Sequence, residues 1–457
     1  MQNNLSDTAS ICPECRKLIP AAYVERAGAV YLDKTCPEHG EFHSLVEEDA
    51  RFFHRRAEFD KPATESIKQT VKTKGCPHDC GLCDQHDQHT CIAVLEITGE
   101  CDLSCPVCYA QPLTGGFMAL ETVGKILDFY QHCESGNAEI LQLSGGEPTL
   151  HPQLLKIIET AIDKKIKYVM LNTNGYNLAH NKELVKSLAG IGSGFEIYLQ
   201  FDGLQPGSMQ TLRGIDQLSW KIRALDNILE SGIPVTLVTT VANGINDDQL
   251  GEILNYGISR PGIRGINFQA AAAFSPSSPV NAEQCITISG LAARLEKQTS
   301  GLIKINDLVP LPCNVHNHGL TFMVRNERGF QPITRQVDLK PHLDLIENSF
   351  YHDATGIMKK MESGLCGNST VCKCMSFLTD FSTMLPELFK SGTLEQKRNF
   401  INHNLFRISL SRFNDLHSFA LDAVAKECVH IFTPDLLRIP FSVYNLFHRG
   451  GKKAHAE

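Results

Sequence analysis

The chain has 457 residues, a net charge of −8 and 42% hydrophobic residues, enough apolar material for a large core in two or three domains. Its net negative charge does not indicate a basic surface of the kind that binds nucleic acid. The polar N-terminus predicts no secretory signal, and no run reaches the about 18 apolar residues that a membrane helix needs. The 17 cysteines therefore indicate metal ligation or catalysis in a reducing, cytoplasmic compartment rather than a disulfide scaffold.

The first cysteine array lies near the N-terminus. Cys12 and Cys15 are followed, twenty residues on, by Cys36 and His39. This is the spacing of two knuckles that hold one tetrahedral metal ion. We predict a mononuclear site with zinc or a rubredoxin-like iron.

A second array precedes the first predicted strand of the main domain. It contains the four thiols of Cys76, Cys80, Cys83 and Cys91, and four thiolates is the number that closes a 4Fe–4S cluster. We interpret it as an auxiliary cluster with His86 and His89 as substitute ligands. Zinc is the alternative metal.

From residue 91 onward, short apolar runs rich in β-branched residues alternate with helix-length amphipathic stretches. The six runs are 91–98, 138–144, 166–173, 195–201, 233–241 and 262–269. This alternation predicts an α/β fold with a parallel sheet and right-handed crossovers. Six units are too few for a closed barrel, so we expect a partial (β/α)6 barrel with its site at the carboxyl ends of the strands.

The loops at the first two strand ends carry the strongest motifs. Cys101, Cys105 and Cys108 follow the first strand, without a fourth cysteine beside them. Gly145, Gly146 and Glu147 follow the second, and paired glycines allow a positive φ or a close approach of the backbone. The competing interpretation of the three thiols, a structural zinc site, requires four ligands in paired knuckles.

This combination of a CxxxCxxC loop and an SGGEP loop resembles the radical S-adenosylmethionine (radical SAM) superfamily. The resemblance implies that Cys101, Cys105 and Cys108 hold a 4Fe–4S cluster with one iron open to SAM. An electron from the cluster would cleave SAM to methionine and a 5′-deoxyadenosyl radical. The same resemblance implies that Glu147 accepts a hydrogen bond from the methionyl amine, beside the backbone of Ser144, Gly145 and Gly146.

Later strand ends supply candidates for contacts with the ribose and adenine of SAM. They are Asn172, Asn174, Gln200, Asp202 and the main chain of residues 267–269 around Phe268. Polar residues that follow strands also occur as loop caps and turns, which is the alternative for each of them.

With both N-terminal arrays, the whole chain resembles a group of radical SAM enzymes that comprises 7,8-dihydro-6-hydroxymethylpterin methyltransferases and tetraether lipid synthases. The group builds further clusters in the C-terminal half, but this chain has His318 and Ser442 where the group tends to have cysteines. We expect a further cluster on Cys313, Cys366, Cys372 and Cys374, with ligation by His316 or His318, or loss of the cluster, as alternatives. Cys133, Cys285 and Cys428 stand alone in sequence, which predicts small buried side chains.

We predict four regions. Residues 1–60 form a zinc-ribbon or rubredoxin-like module, 61–91 the auxiliary cysteine loop, 92–290 the partial barrel, and 291–457 a mixed α+β extension. The apolar end of the chain packs against the barrel or lines a lipid channel. Packing against the barrel is the expected role. The alternative, which an apolar substrate would require, is a channel that reaches the SAM site and is lined by Phe377, Phe381, Leu388 and Phe406, or a peripheral contact with a membrane.

The expected reaction begins with hydrogen abstraction from an unactivated carbon and continues to C–C bond formation, by chain joining on a lipid-like substrate or by methylation. Methylation of a reduced pterin is the alternative within this chemistry. Flavodoxin or ferredoxin is the expected reductant. A non-catalytic iron–sulfur electron-transfer protein is the alternative from another class, but an electron relay would be served by four cysteines at the main cluster.

Overall fold

The computed structural model describes residues 3–110, 115–275, 280–327, 329–339, 348–351 and 403–449, with single positions at 278, 343, 346, 393, 396 and 400. The N-terminal module is an antiparallel sheet of four strands in sequential order. They are β1 (Asn3–Ile11), β2 (Leu18–Arg26), β3 (Ala29–Cys36) and β4 (Gly40–Glu47). Helix α1 (Ala50–Phe59) follows, capped at its N-terminus by the Asp49 carboxylate, which accepts from the amide of Arg51.

The centre of the molecule is a parallel sheet whose six strands pair in chain order. They are β5 (Ile92–Thr98), β6 (Ile140–Gly145), β7 (Tyr168–Thr173), β8 (Phe195–Gln200), β9 (Val235–Val241) and β10 (Ile263–Ala270). The connecting helices are α2 (Leu120–Cys133), α3 (Leu154–Asp163), α4 (Tyr176–His180), α5 (Lys182–Ala189), α6 (Pro206–Arg213), α7 (Leu218–Glu230) and α8 (Leu250–Ile258). The predicted partial (β/α)6 fold is confirmed.

Hydrophobic periodicity explains why these segments form helices and strands. Helix α2 buries Val123, Ile126, Leu127 and Tyr130, which share one face at a period of 3.6 residues. These side chains join strand residues such as Leu95 in the largest apolar cluster of the described chain. Burying a side chain of this size stabilises the fold by about 1.5–3 kcal/mol.

The sheet continues beyond the six predicted strands at both edges. After α9 (Ile288–Gln298), the remaining elements are β11 (Val309–Pro310), β12 (His318–Asn326), β13 (Gly329–Pro332), β14 (Leu405–Ser411), α10 (Leu421–Ala425), β15 (Val429–Phe432), β16 (Arg438–Pro440) and α11 (Phe441–Val443). Strand β14 pairs in parallel with β10, and β15 pairs in parallel with β5. Strands from the C-terminal part of the chain therefore cover both edges of the barrel.

The expectation of a lipid channel is wrong at Phe406. This residue lies on β14, is 1% exposed, and belongs to the same apolar cluster as the barrel helices. Its ring packs 5.9 Å from that of Phe330. Phe377, Phe381 and Leu388 lie outside the described residues. Among the helices of the described ranges, none combines the length and apolar character needed to cross a bilayer.

Candidate active site

The three-cysteine loop lies at the carboxyl edge of the sheet. Cys101, Cys105 and Cys108 follow β5, and all three are partly buried. The amide of Cys108 donates to the carbonyl of Cys105 at 3.2 Å, which closes a turn. Burial raises the pKa of both Cys101 and Cys105, and Arg213 offsets part of that shift at Cys105. Three partly exposed thiols on one loop fit a cluster that keeps one iron open.

The paired glycines hold this loop against β6. Gly146 donates its amide to the carbonyl of Thr98 at 2.8 Å, and Glu147 donates its amide to the carbonyl of Glu100 at 2.8 Å. A Cβ on Gly145, where φ is +114°, would lie 2.2 Å from the Thr98 oxygen, and a Cβ on Gly146 would lie 2.0 Å from the Glu100 oxygen. The glycines are needed because the backbone before Cys101 passes so close.

Glu147 lies at the centre of a buried hydrogen-bond network. Its Oε1 accepts from the Thr149 amide at 3.0 Å, the Thr149 hydroxyl at 2.6 Å and the Thr173 hydroxyl at 2.8 Å. Its Oε2 accepts from the Asn174 amide at 2.8 Å. Burial raises the pKa of the carboxyl, and these donors offset part of the shift. With one protein donor, Oε2 keeps acceptor capacity for a ligand amine.

The structure brings Asn172, Asn174 and Gln200 to the same edge of the sheet. Asn172 accepts from Gln142 at 2.7 Å, and Asn174 donates to Asp102 at 2.6 Å. Gln200 accepts from Lys221 at 2.8 Å. All three side chains are partly buried, so each orients a polar group beside the cysteine loop.

Asp202, a predicted contact of the ribose or adenine of SAM, is bound by protein partners in this structure. Its carboxylate is 0% exposed and binds Arg213 through two bonds, 2.6 Å to Nε and 3.1 Å to a terminal nitrogen. It also accepts from the Thr240 amide at 2.9 Å. Its acceptors are occupied by the protein, because a polar residue after a strand serves equally well as an internal partner.

The main chain around Phe268, a predicted contact of SAM, lies inside the sheet. Residues 267–269 of β10 pair with β9 on one side and with β14 on the other. The Phe268 ring is 0% exposed in the main core.

Arg213 and Lys221 were missed by the sequence analysis. Both lie next to the cysteine loop, where Arg213 is partly buried, with its side chain 11% exposed, and Lys221 is 0% exposed. Burial lowers the pKa of Lys221 to about 7, and its ammonium donates to Gln200 and to the carbonyl of Asn174. The only sequence signal was their position in amphipathic helices, which also describes a solvated surface.

Replacing Arg213 with methionine should lower the free energy of unfolding by about 3–5 kcal/mol, because a fully buried Asp202 carboxylate loses its paired charge. Urea denaturation measures the change. The exposed Arg223→Met is the control and should cost less than about 1 kcal/mol. The double variant Asp202→Asn/Arg213→Met should recover part of the loss, and an Arg213→Met protein as stable as the control would contradict the assignment.

The face of the sheet turned away from the helices is polar near the carboxyl ends of the strands, where the cysteine loop lies. Tyr198 accepts from Asn267, whose amide oxygen accepts from Ser411 at 2.9 Å, and Ser411 lies 3.1 Å from His318 Nδ1. Further polar side chains on this face are Glu96, Gln142, Ser144, Asn172, Gln200, Gln269 and Ser409. The barrel interior therefore offers hydrogen-bonding groups from several strands.

The chain after α11 also reaches the barrel interior. Arg449 donates to Glu96 at 2.5 Å and lies 5.7 Å from the centre of the Tyr109 ring. Tyr109 follows Cys108 in sequence, and its hydroxyl lies 3.1 Å from that of Ser144. The C-terminal segment is thus tied to the cysteine loop.

The N-terminal metal ligands come together as predicted. In the group of Cys12, Cys15, Cys36 and His39, the ligand atoms lie within 4.8 Å of one another. His39 Nδ1 is 3.6 Å from Cys12 Sγ and 3.4 Å from Cys36 Sγ, and the sulfurs of Cys15 and Cys36 are 3.9 Å apart. These distances suit one tetrahedral ion.

The second array is not held together as one four-thiol site. Cys76, Cys80 and Cys83 line a cavity of about 330 Å³ between β1 and α10. The neighbouring Cys76 thiol and burial raise the pKa of Cys80. Three thiols facing one cavity fit an auxiliary cluster, but Cys91 is not among the lining residues. His86 lines the same cavity, with Nε2 2.8 Å from the Glu427 carbonyl.

Cys91 instead meets Cys313 and Cys428, with the three sulfurs within 4.8 Å of one another. The predictions that Cys91 joins the Cys76 array and that Cys428 stands alone are therefore wrong. Spacing along the chain could not reveal this, because β15 brings Cys428 beside the start of β5 from a distant part of the sequence. Cys133 is buried alone as predicted, at 1% exposure, and Cys285 is partly buried.

The predicted C-terminal cluster is only partly within the described residues. Cys313 belongs to the group with Cys91, while Cys366, Cys372 and Cys374 lie outside the described residues. Neither His316 nor His318 belongs to a group of three or more metal-ligating side chains among the residues described. His318 contacts Ser411 and packs 4.7 Å from the Phe350 ring.

Protein purified without oxygen should contain at least two 4Fe–4S clusters, hence about eight irons per chain, and a mononuclear metal at Cys12–His39. Elemental analysis of iron and zinc measures this. The Cys36→Ser variant should lose the mononuclear metal and keep the iron. About four irons per chain without zinc would contradict the assignment of both N-terminal arrays.

The comparisons with known proteins agree with this arrangement. Residues 70–257 match the Radical SAM superfamily, and residues 4–48 match the HMPTM N-terminal zinc ribbon domain. The chain is 29% identical over 481 residues to the 7,8-dihydro-6-hydroxymethylpterin dimethyltransferase of Methanocaldococcus jannaschii, covering 97% of this chain and 94% of that protein.

Two more distant similarities cover less of the chain. The GTP 3′,8-cyclase of Pasteurella multocida is 28% identical over 200 residues, which is 42% of this chain and 57% of the cyclase. The crystal structure of Streptococcus suis SuiB bound to S-adenosylmethionine has 17% identity and a TM-score of 0.40. It covers 46% of this chain and 47% of SuiB.

Proposed function

The chain is a radical SAM enzyme, and on this premise we propose that its substrate is a reduced pterin, which it methylates at carbon. When bound, the 4Fe–4S cluster and SAM supply a 5′-deoxyadenosyl radical that abstracts hydrogen from the substrate. The name of the Methanocaldococcus jannaschii relative supports the pterin, since the similarity extends over 97% of this chain. A small reductant such as flavodoxin or ferredoxin would provide the electron.

The observation that carries the substrate proposal is the polar interior of the barrel. A pterin is flat and polar, and it requires a compact cleft with a few placed donors and acceptors. Tyr198 on β8 and Asn267 and Gln269 on β10, the two strands that flank β9, offer such groups. An acyl chain would need an apolar channel instead, because each buried CH₂ contributes only about 0.8 kcal/mol.

The residues around the cysteine loop have separate tasks in this proposal. Glu147 Oε2 accepts from the amine of SAM, and Asn172 and Gln200 orient polar groups beside it. Arg213 and Lys221 lie beside the loop, where the positive charge of Arg213 and of the protonated form of Lys221 stabilises the thiolate of Cys105. The loop after β6 holds the backbone before Cys101 in place through the amides of Gly146 and Glu147.

The substrate proposal is tested by the dependence of SAM cleavage on the pterin. Adding 7,8-dihydro-6-hydroxymethylpterin to the reduced, SAM-loaded protein should raise the rate of 5′-deoxyadenosine formation, whereas an acyl-chain lipid should not. Asn267→Leu should remove this stimulation and leave the slow, substrate-independent cleavage unchanged. Asn255→Leu is the matched control, since Asn255 is exposed on α8. Stimulation by the lipid alone would contradict the proposal.

A further inference from the structure

A group of buried thiols lies at the amino end of β5, opposite to the SAM-binding edge, and we propose that Cys91, Cys313, Cys428 and His89 bind one zinc ion there. The three cysteines are each 0% exposed. Their sulfurs lie within 4.8 Å of one another, although they come from three distant parts of the chain. The proposal does not depend on the identity of the substrate.

The distances favour a single ion over a cubane cluster. Zinc–sulfur bonds of 2.3 Å in a tetrahedron place sulfurs about 3.8 Å apart, close to the 3.9 Å between Cys15 and Cys36 in the zinc ribbon. A 4Fe–4S cluster binds each thiolate on a different iron, so its sulfurs stand farther apart. Among the described residues, Cys101, Cys105 and Cys108 do not form a group within 4.8 Å, which is the behaviour expected of cluster ligands.

His89 is the neighbouring candidate for the fourth ligand: it forms a second group with Cys91 and Glu139 rather than with all three sulfurs, and its Nε2 also lies 3.9 Å from the Glu139 carboxylate. His89 Nε2 lies 3.7 Å from Cys91 Sγ, and its Nδ1 lies 3.0 Å from the Gln88 side-chain oxygen. A histidine that binds a metal through one nitrogen commonly donates its other N–H to a carbonyl or carboxylate. The side chain is 7% exposed, so the site is enclosed, and three thiolates with one imidazole are a ligand set typical of structural zinc.

The position of the site indicates what the ion does. The Cys91 amide donates to the Cys428 carbonyl at 2.9 Å, where β15 begins to pair with β5. Cys313 lies between β11 and β12, which are at the opposite edge of the sheet from β5 and β15. The ion would therefore join C-terminal strands from both edges of the sheet to the barrel. Because these segments are distant in sequence, joining them lowers the conformational entropy of the unfolded chain and so stabilises the fold.

The site is too far from Cys101 to take part in the reaction. It precedes β5 while Cys101 follows it, and β5 has seven residues, which at 3.3 Å per residue separate the two ends by about 20 Å. The role of the ion is structural, and its loss should lower the melting temperature by several degrees.

The test is the zinc content of the full-length protein purified without oxygen and without added metal. Two zinc ions per chain are expected in the wild type. Cys313→Ser, Cys428→Ser and His89→Gln should each retain one, and the double variant Cys313→Ser/Cys428→Ser should also retain one. Cys285→Ser is the control and should retain two.

Cys15→Ser alters only the ribbon and should also retain one zinc ion. The zinc ion that remains is then the one at the buried site, so this site can be detected even if variants of its own ligands do not fold. One zinc ion in the wild type, or none in Cys15→Ser, would overturn the proposal. So would a loss of about four irons rather than zinc from Cys313→Ser, since that identifies a cluster. Two zinc ions in His89→Gln would overturn the assignment of the fourth ligand.

Discussion

Replacing Cys105 with alanine is expected to reduce 5′-deoxyadenosine formation to the level of a protein-free control. The three thiols of Cys101, Cys105 and Cys108 are the only thiols on their loop, so two would remain to hold a cluster that already has one open iron. Loss of one thiolate releases or disorders the cluster and with it the SAM site. Anaerobic incubation with SAM and dithionite, followed by quantification of 5′-deoxyadenosine, measures the effect.

The matched control is Cys285→Ala. Cys285 is partly buried, its sulfur lies 3.4 Å from Asp415, and it belongs to none of the groups of metal-ligating side chains among the described residues. It should keep the wild-type yield and the wild-type iron content. A wild-type yield of 5′-deoxyadenosine from Cys105→Ala would mean that the loop after β5 does not hold the SAM-binding cluster.

The second large effect is expected from Gly146→Ala. An added Cβ would lie 2.0 Å from the backbone oxygen of Glu100, a clash that no side-chain rotation can relieve. The backbone must separate, and the bonds from Gly146 to Thr98 and from Glu147 to Glu100 are lost. We expect a destabilisation of about 1–3 kcal/mol and a fall in SAM cleavage of more than about tenfold, because small displacements of positioned groups have large effects on rate.

The control for this substitution is Gly207→Ala on α6, where an added Cβ would meet nothing within 4 Å. It should preserve both stability and activity. Visible absorbance measures how much cluster Gly146→Ala binds. A low absorbance means that the loop cannot bind the cluster, and a normal absorbance with low activity means that it binds the cluster in the wrong position. A fully active Gly146→Ala would contradict the role of the glycine in holding the cysteine loop.

Local sequence patterns predicted the features that depend on neighbouring residues. The six strands and the loop after β5 follow from apolar runs, helical spacing and cysteine spacing within a few residues. The strands that cover the barrel edges could not be predicted in the same way. Residues 429–431 pair with 92–94, and only the folded structure brings such distant segments together.

The individual site residues show a second reason for failure. Gln200 ends β8 and Asp202 follows it, and both are polar residues suited to bind a ligand or to support the protein. Asp202 supports the protein, because Arg213 Nε donates to its carboxylate at 2.6 Å. Nothing in the local pattern around Asp202 identifies that partner, because it lies on a following helix whose orientation depends on packing.

The most direct test of the account is deuterium transfer from the substrate. The protein is incubated anaerobically with SAM, a reductant and 7,8-dihydro-6-hydroxymethylpterin that carries deuterium at its carbon-bound positions, and the 5′-deoxyadenosine is analysed by mass spectrometry. The 5′-deoxyadenosine should contain deuterium from the pterin. Deuterium-free 5′-deoxyadenosine in the presence of the labelled pterin, with deuterium transferred instead from a labelled acyl chain, would contradict the account.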